Sequence, residues 1–350
     1  MQADATQPVA QPSAHGEPAT LFAELASLLV DPATGERIDY CDGRLTRMGS
    51  GRHVPVTDGI PNLFAPNDAS FTGDVTEVVK AFYEETPFPN YDGLDSRASL
   101  DAKARRGVFA ALLDQQLPQG ALVLEAGCGT GQLSNFLGMS WRRKVVAGDI
   151  CLNSLRLAKG FADRYGIRNV AFLQMNLFRP PFRDESFDVV ISNGVLHHTG
   201  DCEGAFASIL AKLKPGGHIV IGLYNWLGRL PTLWKRAAFS AFGSKLYFLD
   251  PRLRDMNREP ARIQSWFMDQ YRHPHETRHS MDEVLTWFKR HGVDFVCGVP
   301  HLDGSLFTDG EKLFATHSPG SKASRVMTQL EMLAAGGQDG GLFIMIGRKR

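Results

Sequence analysis

Apolar and polar positions in the central part of the chain follow two alternating periods. Short runs of buried-type apolar residues, which are typical of strands, alternate with segments whose apolar residues recur at helical spacing. The predicted strands span 121–125, 144–147, 170–174, 187–192, 218–223, 293–297 and 341–347. This alternation predicts an α/β fold with a doubly wound, seven-stranded, mostly parallel sheet.

Capping and turn signals mark the helices between these strands. The helix predicted at 153–165 has a buried face of Leu155, Ala158, Ala162 and Tyr165. Asp201 caps the next helix, which ends at the Lys-Pro-Gly-Gly turn 214–217. Its predicted buried face consists of Ala205, Phe206, Ile209, Leu210 and Leu213. A capping box at 280–283 begins a further helix before the sixth strand.

The same patterns divide the chain into regions. The predicted division is a disordered tail at 1–19, a small β-rich module at 20–66, a helical cap at 67–118, an α/β domain at 119–223 and 280–350, and a helical lid insertion at 224–279. The tail is rich in Ala, Gln and Pro and has no apolar period. The cap contains an aromatic and proline cluster at 82–91, which we expect to fold over a bound cofactor.

Composition narrows the class of protein. Apolar residues make up 43% of the chain, and the 38 basic and 38 acidic residues balance, which predicts a soluble protein without a general attraction to nucleic acid. The five cysteines are scattered and form no CxxC pair, so we expect reduced thiols, no metal site and a cytoplasmic location. Neither a signal peptide nor a membrane span is predicted.

A glycine-rich loop follows the first strand, where such a loop builds a nucleotide-binding corner. Gly127, Gly129 and Gly131 let a ligand approach the backbone, and the following helix offers free N–H groups. Glu125 precedes the loop, and Asp149 ends the next strand, where an acid can accept both ribose hydroxyls. These residues lie along one rim of the predicted sheet, which predicts a nucleotide-like cofactor there.

These motifs together resemble the class I S-adenosylmethionine-dependent methyltransferases, in particular their quinone-biosynthesis and related small-molecule branch. The matching segments are 123–131, Asp149, Asn176, 187–193 and 213–220. The resemblance implies a Rossmann-like methyltransferase sheet and S-adenosyl-L-methionine as cofactor. One departure is Asn176, since the family often has Asp at that position; an amide can both donate and accept.

The resemblance also implies roles for individual residues. Glu125 and the glycine loop would hold the methionine end, Asp149 the ribose hydroxyls, and Asn176 with Leu177 the adenine. The complete set of expected cofactor-binding residues is Glu125, Gly127, Cys128, Gly129, Gly131, Asp149, Ile150, Asn176, Leu177 and Asn193. A nicotinamide dehydrogenase is disfavoured, because it would need a G-x-G-x-x-G loop whereas this loop reads G-x-G-x-G.

Four residues are candidates for the chemistry. His197 and His198 follow the fourth strand, where a histidine can act as a general base. Tyr83 in the cap offers an aromatic face that can stabilise a cation. Tyr83, or Tyr224 at the start of the insertion, is the alternative proton acceptor to the histidines.

The insertion combines aromatic and basic residues, which suggests a small aromatic or hydrophobic substrate carrying an acidic group. The aromatic residues are Trp226, Trp234, Phe239, Phe242, Trp266 and Phe267, and the arginines are Arg252, Arg254, Arg258 and Arg262. Two alternatives remain open: an RNA or protein methyltransferase, and a non-catalytic partner subunit that binds the cofactor without turnover.

The module at 20–66 resembles the small zinc-ribbon proteins that activate methyltransferases or are fused to them. The matching features are its helix, the Leu-x-Asp-Pro turn and the closing segment 58–61. Cys41 is its only cysteine and cannot hold zinc alone, so we expect a degenerate, metal-free module. Its expected role is packing or partner contact, including contact with a second copy of the chain.

Overall fold

The computed structural model describes residues 18–91, 95–253, 260–335 and 340–350. Apart from its last two positions, the tail predicted at 1–19 lies outside the described residues, as do Arg254 and Arg258 of the insertion. Within the described ranges, no helix is both long and apolar enough to cross a bilayer.

The first third of the chain forms short strands and helices before the main sheet begins. In chain order these are α1 (Pro18–Leu25), β1 (Ile38–Cys41), β2 (Arg44–Arg47), β3 (Val56–Thr57), β4 (Ile60–Pro61), α2 (Thr76–Glu85), α3 (Arg97–Arg106) and α4 (Phe109–Gln116). β1 pairs with β2 and β3 with β4, both antiparallel. The region predicted as a helical cap therefore contains three separate helices, α2 to α4.

A seven-stranded sheet forms the centre of the protein. Its elements are β5 (Leu122–Ala126), α5 (Gln132–Gly138), β6 (Lys144–Asp149), α6 (Leu152–Tyr165), β7 (Val170–Gln174), β8 (Phe187–Asn193), α7 (Cys202–Ala211), β9 (Leu213–Tyr224), α8 (Leu230–Phe242), α9 (Pro260–Phe267), α10 (Met281–Arg290), β10 (Val293–Val299), α11 (Lys322–Ala334) and β11 (Leu342–Lys349). The strand order is β10-β11-β9-β8-β5-β6-β7. Strands β5 to β9 run parallel, and β11 runs antiparallel to both β9 and β10. The predicted fold class is confirmed.

Two local features differ from the sequence-based expectation. Leu213 is predicted on the buried face of a helix, but α7 ends at Ala211 and Leu213 begins β9, where it pairs with Phe187. Helix α11 has no counterpart in the predicted elements. Its buried positions are the polar Thr328 and Gln329, whereas the apolar Val326 and Leu330 are exposed, so the burial of this helix does not follow its apolar spacing.

The N-terminal module shares its core with the large sheet. Leu25 and Ile38 of the module belong to the same buried cluster as Leu124 of β5. The backbone N–H of Leu63 donates to the carbonyl of Gln174 at the end of β7, at 2.9 Å. Continuous apolar packing and main-chain hydrogen bonds therefore fasten the module to the β7 edge of the sheet.

The insertion between β9 and α10 has a small core of its own. Phe239, Leu253, Ile263 and Tyr271 form a buried cluster separate from the two clusters around the sheet. Helix α9 continues into a π-helical turn, Met268–Arg272. Several of the predicted lid aromatics instead face outward: Trp226, Trp234 and Phe242 are 53%, 69% and 64% exposed.

Candidate active site

A cavity of about 940 Å³ lies at the carboxyl ends of the central strands. Strand β5 has β6 on one side and β8 on the other, so the chain reverses its winding direction at this point. Open α/β sheets bind ligands at such a switch point. The volume is near the upper end of the range for ligand pockets, about 300–1,000 Å³, so a cofactor and a small acceptor fit together.

The cavity brings together most of the residues predicted from the sequence. The expected cofactor-binding residues that line it are Glu125, Gly127, Cys128, Gly129, Asp149, Ile150, Asn176, Leu177 and Asn193. Tyr83, His198 and Tyr224 line the same cavity. Gly131 and His197 are not among the lining residues, and the structure gives each a different environment.

The glycine loop is shaped by contacts on both of its sides. Gly127 has a φ of +83° and Gly129 a φ of +53°, and both values favour glycine. A Cβ on Gly129 would lie 2.5 Å from the carbonyl oxygen of Phe88, so the segment 82–91 packs against the loop. A Cβ on Gly131 would collide with Ala158 of α6 at 2.7 Å. The third glycine therefore serves the packing of α5 against α6.

Asp149 connects the glycine loop to the start of α6. One carboxylate oxygen accepts the N–H of Gly129 at 2.7 Å, and the other accepts the N–H of Cys151 at 2.9 Å. Burial raises the pKa of Asp149 to about 6, and these backbone hydrogen bonds oppose the increase. A carboxylate has about four lone-pair sites, so its cavity side can still accept ligand hydroxyls.

Glu125 is a buried acid at the end of β5. Its carboxylate accepts a hydrogen bond from the Ser134 hydroxyl of α5. Burial, and next the nearby charge of Asp149, raise the pKa of Glu125 to about 8, although the Ser134 hydrogen bond opposes them. A cationic ligand group beside Glu125 would stabilise its ionised form.

The free energy of unfolding of the ligand-free protein is expected to fall less with rising pH in Glu125→Gln than in wild type. The folded state keeps a proton on Glu125 that the unfolded chain releases above its ordinary pKa of 4.5. The free energy of unfolding therefore falls between about pH 5 and about pH 8, by at most about 1.4 kcal/mol per pH unit. Chemical denaturation across this range measures the slope. The exposed Glu331→Gln is the control, and equal slopes for wild type and Glu125→Gln would contradict this origin.

The two asparagines at the strand ends differ in how their amides are used. Asn176 donates to the carbonyl of Ala65 at 2.9 Å and to the side chain of Asn67 at 2.7 Å, and its oxygen accepts the N–H of Phe178. This amide therefore contacts the end of the N-terminal module and the start of the cap, and its contact with an adenine edge stays a prediction. The Oδ1 atom of Asn193 is buried without a hydrogen-bond partner among the described residues.

Four polar side chains from three segments form a network in the wall of the same cavity. The Tyr83 hydroxyl donates to Asp269 at 2.8 Å. The Gln270 amide donates to Asp269 at 2.8 Å and to the Tyr224 hydroxyl at 2.9 Å. Burial raises the pKa of Asp269 and of both tyrosines, so both phenols stay protonated at neutral pH. The hydroxyl proton of Tyr224 remains available to a ligand.

The two adjacent histidines have different environments. Nδ1 of His198 bonds the carbonyl of His275 at 2.9 Å, which leaves Nε2 available at the cavity wall. Burial lowers the pKa of His198 to about 3, so the ring is neutral. His197 is fully buried, its ring centroid 3.9 Å from that of Tyr224, and it does not line the cavity. Of these two histidines, only His198 lines the cavity, so only His198 remains a candidate base.

The remaining cavity wall is mainly apolar. Phe88 of the cap, Trp266 of the insertion and Phe307 of the loop after β10 contribute aromatic surface. Arg106 and Arg252 also line the cavity, and the Arg252 guanidinium lies 4.0 Å from the centre of the Trp266 ring. An apolar wall with two cations suits an acceptor that has a hydrophobic body and a negative group.

Asp269 and Gln270 are site residues that the sequence reading did not identify. Both belong to the π-helical turn, a feature that occurs frequently at functional sites. The available sequence signal was an acid within the aromatic segment 265–271, because a charged residue in an apolar run needs a buried partner. That partner, Tyr83, lies 186 positions earlier in the chain.

The fold and the site define a protein that binds a nucleotide-type cofactor at the switch point of a doubly wound sheet. A methyltransferase-domain family model matches residues 124–221. An uncharacterized methyltransferase of Mycobacterium tuberculosis is 30% identical over 138 residues, which are 39% of this chain and 67% of the relative. The chain belongs to the class I S-adenosylmethionine-dependent methyltransferases, so the predicted family and cofactor are confirmed.

For other similar proteins, the match spans a smaller part of the relative's length or the sequence identity is lower. An uncharacterized protein of Synechococcus sp. is 26% identical over 254 residues, 65% of this chain and 61% of the relative. Demethylmenaquinone methyltransferase of Lactococcus lactis is 37% identical over 105 residues, 29% of this chain and 41% of the relative. The structure of geranyl diphosphate C-methyltransferase from Streptomyces coelicolor is 14% identical, with a TM-score of 0.48, covering 82% of this chain and 100% of that chain.

The described residues fit S-adenosylmethionine on structural grounds. Glu125 is a buried acid that a ligand ammonium would stabilise, and Asp149 has free lone pairs at the next strand end. Asn193, at the end of β8, lines the same cavity. The glycine loop lets the ligand approach the backbone.

Proposed function

We propose that this protein transfers the methyl group of S-adenosylmethionine to a small hydrophobic acceptor that carries an acidic group. The observation that carries the proposal is a single cavity that is lined by two buried acids, an apolar wall and two arginines. S-adenosylmethionine, when bound, supplies a methyl group that is attached to a sulfonium sulfur. After the transfer, the remaining molecule is a neutral thioether. Little acid catalysis is therefore required of the protein.

The main contribution of the chain is to bind and orient the two reactants. Glu125 and Asp149 would hold the cofactor from two adjacent strand ends, while Arg106 and Arg252 would hold the acidic group of the acceptor. Such positioning makes the reaction effectively unimolecular. Phe88 and Trp266 would exclude water from the reacting groups.

His198 is the proposed proton acceptor for an acceptor group that must lose a proton. Its ring is neutral and its Nε2 atom is available at the cavity wall. The Tyr83 hydroxyl donates a hydrogen bond to Asp269, and the raised pKa of Tyr224 keeps that phenol protonated. Both tyrosines therefore serve as hydrogen-bond donors. The network around Asp269 would hold both tyrosine rings beside the reaction.

His198→Gln is expected to lower kcat for methyl transfer about 100-fold, because glutamine cannot take the proton. Affinity for S-adenosylhomocysteine should change little, since His198 belongs to the acceptor end. His197→Gln is the matched control, and its kcat should stay within about tenfold of wild type. Steady-state kinetics with the identified acceptor measure both values. Equal losses in the two variants would count against His198 as the base.

The acceptor itself can be found by incubating the purified protein with radiolabelled S-adenosylmethionine and a cell extract separated into small molecules, RNA and protein. The proposal expects label in a hydrophobic anionic small molecule. Exclusive labelling of RNA or protein would overturn the proposed substrate class. A relative described as probable tRNA methyltransferase 9B of Mus musculus is 34% identical over 36% of this chain, so the RNA fraction must be included. Binding without labelling in any fraction would support the partner-subunit alternative.

The N-terminal module is proposed to act on the cofactor end of the site through Asn176. This amide donates to Ala65 at the end of the module and to Asn67 directly after it, at the end of β7 where adenine is expected. Its role would be to hold that strand end in place without a metal ion of its own. A second copy of the chain remains a proposed partner of its outer surface.

A further inference from the structure

Three potential metal ligands meet beyond the end of β10. Cys297 lies within β10, and His301 and His317 lie in the long connection between β10 and α11. The ligand atoms of these three side chains all lie within 4.8 Å of one another. Cys297 is fully buried, and His301 is 6% exposed.

Glu311 lies beside the two histidines, outside the group of three side chains whose ligand atoms all lie within 4.8 Å of one another. One of its carboxylate oxygens lies 3.2 Å from Nε2 of His301, and the other lies 3.4 Å from Nε2 of His317. Two ligand atoms of a tetrahedral zinc ion, each about 2.1 Å from the metal, are about 3.4 Å apart. Glu311 and the two histidines are therefore already separated by nearly the distance that a shared ion would require. A bound ion would replace the hydrogen bond between Nε2 of His317 and the carbonyl of Lys312, at 3.0 Å.

The ring of His301 is oriented as that of a metal ligand would be. Its Nδ1 atom bonds the hydroxyl of Ser305 at 2.9 Å, which orients the ring. Its Nε2 atom is buried and lies 3.2 Å from the Glu311 carboxylate, without the geometry of a hydrogen bond. A ligating histidine typically uses one nitrogen for the metal and the other for such an outer partner.

We propose that Cys297, His301, Glu311 and His317 bind one tetrahedral divalent transition-metal ion of the zinc class. One thiolate, two imidazoles and one carboxylate are all ligands that Zn²⁺ accepts. Four protein ligands complete a tetrahedron and leave no open position, which is characteristic of a structural site.

The proposed ion would fix one wall of the cofactor and acceptor cavity. Val299, Pro300 and Phe307, which belong to the same segment as the ligands, line that cavity. The ring of Phe307 also lies 5.7 Å from the ring of His301. Metal binding would therefore stabilise both the loop and the apolar surface against which an acceptor packs.

This inference departs from the expectation of no metal site. The ligands span 297–317 without any paired spacing such as CxxC, and one of them is a glutamate. The fold of the loop, and not a local motif, brings them together. The site is also separate from the N-terminal module, so zinc in the purified protein would not by itself assign a metal to that module.

The test is a Co²⁺ titration of the full-length protein after removal of metal with a chelator. Wild type should bind one equivalent, with the ligand-field absorption of tetrahedral cobalt and a thiolate charge-transfer band. His317→Ala should weaken binding by more than the roughly 10–100-fold that loss of an outer partner causes, and Ser305→Ala should fall within that range. His53→Ala and Cys41→Ser are controls that should bind as wild type.

Thermal denaturation gives a second readout that does not depend on any variant folding well. Zn²⁺ added to chelated wild type should raise Tm, because an ion that binds only the folded state stabilises it. The conservative variant Glu311→Gln should show a smaller increase. Absence of stoichiometric Co²⁺ binding to wild type, or binding lost in Cys41→Ser and retained in His317→Ala, would overturn the proposal.

Discussion

Asp149→Ala is expected to weaken binding of S-adenosylhomocysteine by at least about 100-fold in calorimetric titration. The carboxylate is expected to accept both ribose hydroxyls, and a hydrogen bond to a charged group contributes about 1.5–3 kcal/mol. Two such bonds exceed the roughly 2.7 kcal/mol that corresponds to a 100-fold change. The variant also removes the oxygens that hold the N–H groups of Gly129 and Cys151, so the loop itself becomes less ordered.

The matched control for this prediction is Asp163→Asn on the adjacent helix α6. Asp163 is exposed and bonds only the side chain of Lys159 among the described residues, so its loss should leave affinity unchanged. Thermal denaturation of each variant shows whether the fold is retained. Wild-type affinity in a folded Asp149→Ala protein would remove Asp149 from the cofactor site, and failure of wild type to bind would refute the cofactor role of the whole cavity.

Arg229→Met is expected to lower the free energy of unfolding by about 3–5 kcal/mol, as is typical when one partner of a buried ion pair is lost. Arg229 is fully buried and donates to both oxygens of Glu276, at 3.0 and 2.6 Å. Its guanidinium lies 3.7 Å from the centre of the Tyr224 ring. The substitution would leave the charge of Glu276 buried without its cation and would remove support from Tyr224.

Chemical denaturation of a second and a third variant distinguishes the buried charge from lost packing. The double variant Arg229→Met/Glu276→Leu removes both charges, so it should be more stable than Arg229→Met alone. Arg290→Met breaks the more exposed pair with Glu203 and should cost at most about 1 kcal/mol. Equal destabilisation by Arg229→Met and Arg290→Met would contradict the proposed role of burial.

The cofactor end of the site was predictable because its signals are local in sequence. The glycine loop, Glu125 before it and Asp149 at the next strand end all follow directly from the strand and turn pattern. In a parallel sheet, residues at the carboxyl ends of successive strands must lie on one rim. Most of the predicted cofactor residues therefore line a single cavity.

The polar network around Asp269 was not predictable in the same way, because its hydrogen bonds join segments that are distant in the sequence. Tyr83 and Asp269 are 186 positions apart, and no periodicity relates them. The same limit applies to neighbours: His197 and His198 are equivalent in sequence, but the turn after β8 directs only His198 to the cavity. The sequence also did not show which polar atoms already have hydrogen-bond partners. The Asn176 amide, for example, donates to Ala65 at the end of the N-terminal module and to Asn67.

By itself the sequence determined the fold class, the family and the cofactor, because these depend on periodicity and on motifs within single strand–turn–helix units. Only the tertiary structure decided which side chains share the cavity with the cofactor. It alone also brought Cys297, His301 and His317 together at the end of β10, with Glu311 beside the two histidines. The physical reason is that long-range packing, and not local pattern, sets the position and the hydrogen-bond partners of residues in loops and insertions.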